Sequence, residues 1–118
     1  MLTIRQAQFA AFSQAELRKF ENWMVAHLRK FFPEQCTALE EAKLLETIQY
    51  GIRRAATYEI KIKRDVCKYI DLMIVLGRDF DTDGRYLWLS QILSRRIDSD
   101  IKMRVALRAV QLQLRIGR

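Results

Sequence analysis

A chain of 118 residues, half of them apolar and 30% charged, can bury one core without disulfide staples and is too apolar to stay disordered in water. One proline and four glycines leave too few breaks for a many-turned β fold, so helices are expected. A net charge of +7 turns the surface towards anionic protein, phosphate or lipid without choosing among them.

The first segment, residues 4–12, follows Thr3 with Gln6 three positions on, a capping box that starts a short helix. Ser13 and Glu16 form a second box. Behind it Leu17, Phe20, Met24, Leu28 and Phe31 recur at helical spacing, which predicts a helix over 14–32. Trp23 is expected to join the core beside Phe20 and Met24. Pro33 ends this helix, because the residue before a proline is pushed out of the α region.

Thr37 with Glu40 reads as a third box, opening a helix that runs to about Thr57 with Leu39, Leu45, Ile48, Ile52 and Ala55 on one side. Gly51 lies inside it at a cost of about 1 kcal/mol relative to alanine, which a close helix crossing would explain. Tyr58 to Lys63 alternates apolar and polar residues and is expected to be an extended connector. Residues 64–76 then form a helix burying Val66, Tyr69, Ile70, Met73 and Ile74, with Gly77 as its left-handed stop.

After an acidic turn, Tyr86 to Arg96 reads as a helix, and Asp98 or Ser99 caps a last one reaching about residue 116. Val110, Leu112, Leu114 and Ile116 also alternate like a strand, so a two-stranded pairing with Tyr58–Lys63 is the alternative at that end. No fixed-period repeat or low-complexity linker divides residues 1–118. They read as a single helical domain with a basic C-terminal segment, 98–118, which from residue 101 carries five cations and no acid: Lys102, Arg104, Arg108, Arg115 and Arg118.

Candidate chemistry is sparse. Asp79, Asp81, Asp83 and Gly84 match the opening of a calcium loop, but Ser90 stands where the bidentate glutamate should be. An Asp-rich turn capping the next helix is the better reading. His27 is the only histidine, and no spacing supplies it with a partner for acid–base work. Cys67 would be a nucleophile only with a histidine beside it, and nothing in the sequence brings His27 there. Cys36 and Cys67 form no C-x-x-C and are expected to be buried thiols. Glycine-rich phosphate loops and hydrolase motifs are absent, so an enzyme is not expected.

If the tail is helical, Arg104, Arg108, Gln111 and Arg115 share one face, with Ile101, Val105, Ala109 and Leu112 on the neighbouring one. Such a basic amphipathic helix can meet an acidic protein cleft, a nucleic-acid groove or a membrane surface. Trp88, just after a polar turn, is the candidate aromatic anchor for an interface. The start shows no secretory signal, and the longest apolar run, Leu72 to Leu76, is too short to cross a bilayer. Cytoplasmic folding is the default expectation.

With LTIRQAQFAAF at the start, FPE at Phe32 to Glu34, YGIRRAATYEIKIKRDVCKYIDLM from Tyr50 to Met73 and GRDFD from Gly77 to Asp81, the chain resembles a bacterial family. These are small helical proteins encoded beside type VI secretion PAAR/VgrG effectors and the adaptor chaperones that load them. The resemblance covers roughly residues 1–93. It implies an accessory, co-chaperone-like role in effector handling and carries over no catalytic residue. Where the family tends to show Tyr-Gly-Ile, this chain has Tyr58-Glu59-Ile60, and its basic end departs from the pattern.

The resulting expectation is an all-α, compact bundle of five to six helices that binds a secretion effector or its adaptor chaperone. Its contacts would be Tyr86, Trp88, Arg104, Arg108 and Arg115. No metal, cofactor or membrane is expected. Alternatives are an immunity protein neutralising a cognate toxin and, less favoured, a basic nucleic-acid-binding protein; a homodimer through apolar helix faces is compatible with either.

Overall fold

The computed structural model describes residues 13–116, so the helix expected over 4–12 lies outside the described residues. The described chain is all-α, with six α-helices, two 3-10 turns and no strand. α1 (Gln14–Phe31) begins as expected, with the Ser13 hydroxyl oxygen accepting the Glu16 amide at 3.1 Å. It buries Phe20, Met24, Val25 and Leu28.

Pro33 stops α1 and also starts a helix. Phe32 leaves the α region with φ −132° and ψ 55°, and Pro33 occupies the first turn of α2 (Pro33–Thr37), where its missing amide costs nothing. Thr37 therefore closes α2, its hydroxyl donating to the Pro33 carbonyl, instead of capping the next helix. That helix, α3 (Glu41–Thr57), starts after Glu40 and buries Leu44, Ile48, Ile52, Ala55 and Ala56. Leu44 takes the core position for which Leu45 was expected.

α3 ends in a Schellman turn: the Ile60 amide donates to Ala55 and the Glu59 amide to Ala56, both at 3.0 Å. Glu59 holds the required positive φ of 62°, and Ile60 is fully buried behind it. The Tyr58–Lys63 segment is thus a helix-terminating turn that leads into α4 (Lys63–Leu76). α4 is the central element, packing against α1, α3 and the last helix, with Tyr69 and Ile70 wholly inside. Gly77 ends it with a φ of 116°, a conformation open to glycine and strained for other residues.

Two 3-10 turns, Phe80–Thr82 and Gly84–Tyr86, lead to α5 (Leu87–Leu93), which is shorter than the Tyr86 to Arg96 span read from the sequence. α6 (Ser99–Ile116) is helical throughout, so the alternation at Val110–Ile116 belongs to a helix and the two-strand alternative is set aside. Its inward stripe is Lys102, Met103, Ala106 and Val110. No described helix is long and apolar enough to cross a membrane.

Candidate functional site

The acidic turn is built into the fold. Tyr50 on α3 donates its hydroxyl to Asp79, and Arg78 stacks its guanidinium 3.9 Å from the Tyr50 ring while making two 2.7 Å bonds to Glu46. Asp81 is buried and accepts from Arg54 and, at 2.8 Å, from the Tyr58 hydroxyl. Asp83 caps the second 3-10 turn, its Oδ1 accepting the Arg85 amide at 2.9 Å. Each carboxylate of the calcium-like string serves a different partner. Asp83 alone caps, at the 3-10 turn before the next helix, while Asp79 and Asp81 tie the turn to side chains of α3 and its end. The capping turn read from the sequence therefore holds for one of the three.

These bonds shift the phenols. Burial, and then the Asp81 carboxylate that it faces, pushes Tyr58 up to about 12, and burial alone is the largest influence raising Tyr69. Tyr50 is raised first by its bond to Asp79.

The residues expected to bind protein fall in two places. Tyr86 and Trp88 are half-buried and packed against the core, and the side chain between them, Leu87, is exposed. Arg104 and Arg108 lie on the outer surface of α6. Arg115 lies in the same helix, with its side chain outside the described residues. Lys102 differs from its neighbours in sequence: it is buried and its ammonium donates at 2.8 Å to the Tyr58 carbonyl at the end of α3. Burial lowers its pKa.

Beside Arg104 and Arg108, Ile101, Val105 and Leu112 are 46%, 42% and 44% exposed. With Ala109 they line a shallow depression along α6. The apolar face read from the sequence is therefore an outer face, and a second stripe on the same helix serves the core.

Trp23 was expected inside and is 54% exposed. It lies flat against His27, with ring centroids 5.0 Å apart at 17°, and Phe31 flanks the imidazole at 5.0 Å. Phe20 and Trp23 floor an apolar groove rimmed by Lys19, Arg64 and Lys68, with Cys67 in its wall.

The structure brings His27 and Cys67 together, which sequence spacing could not foresee. His27 Nε2 lies 2.9 Å and 3.3 Å from the two oxygens of Asp71 and 3.5 Å from Cys67 Sγ. This is not the arrangement of a cysteine nucleophile. There the base uses one ring nitrogen for sulfur and the other for the orienting carboxylate; here both press on Nε2. Burial first, and the Asp71 charge second, also push the Cys67 thiol up to about 12, the reverse of an activated thiolate. Desolvation raises Asp71 in turn. Cys36 is the buried thiol expected, donating to the Leu28 carbonyl at 3.6 Å. No protein-family profile, curated protein or solved structure matches this chain.

Proposed function

We propose that this protein acts by binding another protein through the outer face of α6, and that its partner is a secretion effector or the adaptor chaperone that loads one. The observation that carries the reading is the exposed run of Ile101, Val105 and Leu112 interleaved with Arg104 and Arg108. Three aliphatic side chains at helical spacing offer a dry contact, and Arg108 supplies a guanidinium for a carboxylate beside it. Arg104 can add a second by exchanging its exposed pairing with Asp100 at 3.1 Å. An amphipathic helix or a cleft with acidic edges is the complementary shape. Phosphate backbone alone would leave the aliphatic side chains uncovered, which favours protein over nucleic acid. The resemblance to proteins encoded beside secretion effectors supplies the partner class, and the chemistry at His27 and Cys67 supplies no competing nucleophile.

The test is co-expression with the effector and adaptor chaperone encoded nearby, followed by purification on a tag carried by this chain. A stoichiometric complex is expected, lost in Val105→Asp and weakened at least tenfold in the double variant Arg104→Glu/Arg108→Glu. Recovery of the chain alone, or a complex indifferent to all three changes, would overturn the reading.

A further inference from the structure

We propose that His27, Cys67 and Asp71 form a binding site for a divalent cation of the zinc class, with three protein ligands and one open position. Cys67 and Asp71 are four residues apart on α4 and so lie on one face of that helix, one turn apart. His27 reaches them from α1. One potential ligand atom from each residue converges, all within 4.8 Å of one another. Metal–ligand bonds of about 2.0–2.3 Å in tetrahedral geometry place neighbouring ligand atoms roughly 3.3–3.6 Å apart. The Cys67 Sγ to His27 Nε2 distance is 3.5 Å and the longer Asp71 oxygen distance is 3.3 Å. The third pair, Cys67 Sγ and an Asp71 oxygen, lies within 4.8 Å, so closing three ligands on one ion asks for a side-chain adjustment of up to about 1 Å between sulfur and carboxylate.

In the protein alone Nε2–H can donate to the Asp71 carboxylate at 2.9 Å, with the Cys67 sulfur as a weak second acceptor at 3.5 Å. A cation bonded to nitrogen, sulfur and oxygen would take the place of that proton, and a neutral imidazole with a thiolate and a carboxylate balances its double charge. The rings of Trp23 and Phe31 flank the imidazole, whose Nε2 faces Asp71 and Cys67 on α4.

The mixed sulfur, nitrogen and oxygen set selects a borderline-soft ion over calcium or magnesium, which prefer oxygen alone. Three ligands leave the fourth position for water or an incoming group. Cys67 also forms part of the groove wall between Trp23 and Lys68, so the groove reaches the sulfur side of the cluster. The site is separate from the α6 face and does not depend on the protein-binding reading.

Titration of the metal-free full-length chain with cobalt(II) tests the site. One cobalt per chain is expected, with an absorption spectrum of tetrahedral intensity and a thiolate-to-metal band, both discharged by one equivalent of zinc. Cys67→Ser should lose the thiolate band, and Asp71→Asn and His27→Gln should each weaken binding at least tenfold; Cys36→Ser should change neither. Because a buried variant can fail to fold, the wild-type chain carries a second test. Zinc should raise the melting temperature of the wild-type chain in a saturable way, with half-effect at the dissociation constant read from the cobalt competition. Absence of saturable one-to-one binding, an octahedral spectrum without a thiolate band, or a melting temperature unmoved by zinc would each overturn the assignment.

Discussion

Gly51 and Ile70 meet where α3 crosses α4, so closely that a methyl group on the Gly51 α-carbon would stand 2.7 Å from Ile70 Cγ1. The same methyl would approach Met73 Sδ at 2.9 Å. In an exposed helix, Gly51→Ala would stabilise by about 1 kcal/mol. At this crossing the sulfur can swing aside, but Cγ1 is bonded directly to the Ile70 β-carbon and cannot move without a rotamer change. Overpacking of this kind costs about 1–3 kcal/mol, so the crowding outweighs the helix gain. Gly51→Ala is expected to lower the melting temperature by roughly 5 °C. A variant at least as stable as the parent would show that the helices do not cross this closely.

Glu59 gives the opposite case. Its φ of 62° is where a side chain is disfavoured and glycine is not. The turn is otherwise complete, with both Schellman bonds made and Ile60 buried, so replacing the residue disturbs nothing that packs. Glu59→Gly should raise stability by about 0.5–1 kcal/mol in urea denaturation. Glu59→Ala, which keeps a β-carbon at the same φ, should give no such gain. Equal effects from the two variants would mean that the carboxylate, which pairs with Lys61, matters more than the backbone.

These two positions show what could be read from sequence. Helical spacing located α1, α3 and α4 because each buries a continuous stripe, whereas α6 was placed by its cap and the face read as apolar there points outward. Gly51 signalled a crossing because a glycine inside a helix needs a reason. The turn at Tyr58–Ile60 was hidden because glutamate, not glycine, holds its left-handed position at Glu59. Trp23 was placed inside by its neighbours Phe20 and Met24, yet helical rotation carries it to the rim, where it stacks on His27. The His27, Cys67 and Asp71 cluster left half a signal, the cysteine and aspartate one turn apart. Its other half depends on how α1 lies against α4, which no local pattern encodes.

Asp81 anchors the turn after α4 through charge held out of water. It is 4% exposed, and its Oδ2 accepts from Arg54 Nε at 3.0 Å and from the Tyr58 hydroxyl at 2.8 Å. Asp81→Asn keeps the shape but presents an amide to Arg54 without a balancing charge. Removing one member of a buried pair costs about 3–5 kcal/mol, and the partial exposure of the Arg54 side chain reduces this to roughly 2–4 kcal/mol. Since Tyr58 donates to the same oxygen, Asp81→Asn and Tyr58→Phe should combine non-additively, with a coupling of about 1 kcal/mol. Strict additivity in a double-mutant cycle would place Tyr58 outside the network.

The same contact makes stability fall in alkali. Tyr58 holds its proton until about 12, because burial and the facing Asp81 carboxylate both disfavour a phenolate, whereas a tyrosine in the unfolded chain ionises near 10. Between those values the folded state binds more protons than the unfolded one, so stability decreases as pH rises. The contribution is fully present below about pH 10 and is lost as the solution passes through about pH 12. Tyr69, raised mainly by burial, and Tyr50, raised by its bond to Asp79, act in the same direction. The Cys67 thiol, pushed up to about 12, and the Cys36 thiol, also raised by burial, act in the same direction from lower pH. Urea midpoints at stepped pH should therefore begin to decline at about pH 9 and drop more steeply above about pH 10. Tyr58→Phe should begin lower, having lost a hydrogen bond, and drop less steeply because one late-ionising phenol has been removed. A slope unchanged by that substitution would mean that the alkaline loss originates elsewhere in the fold.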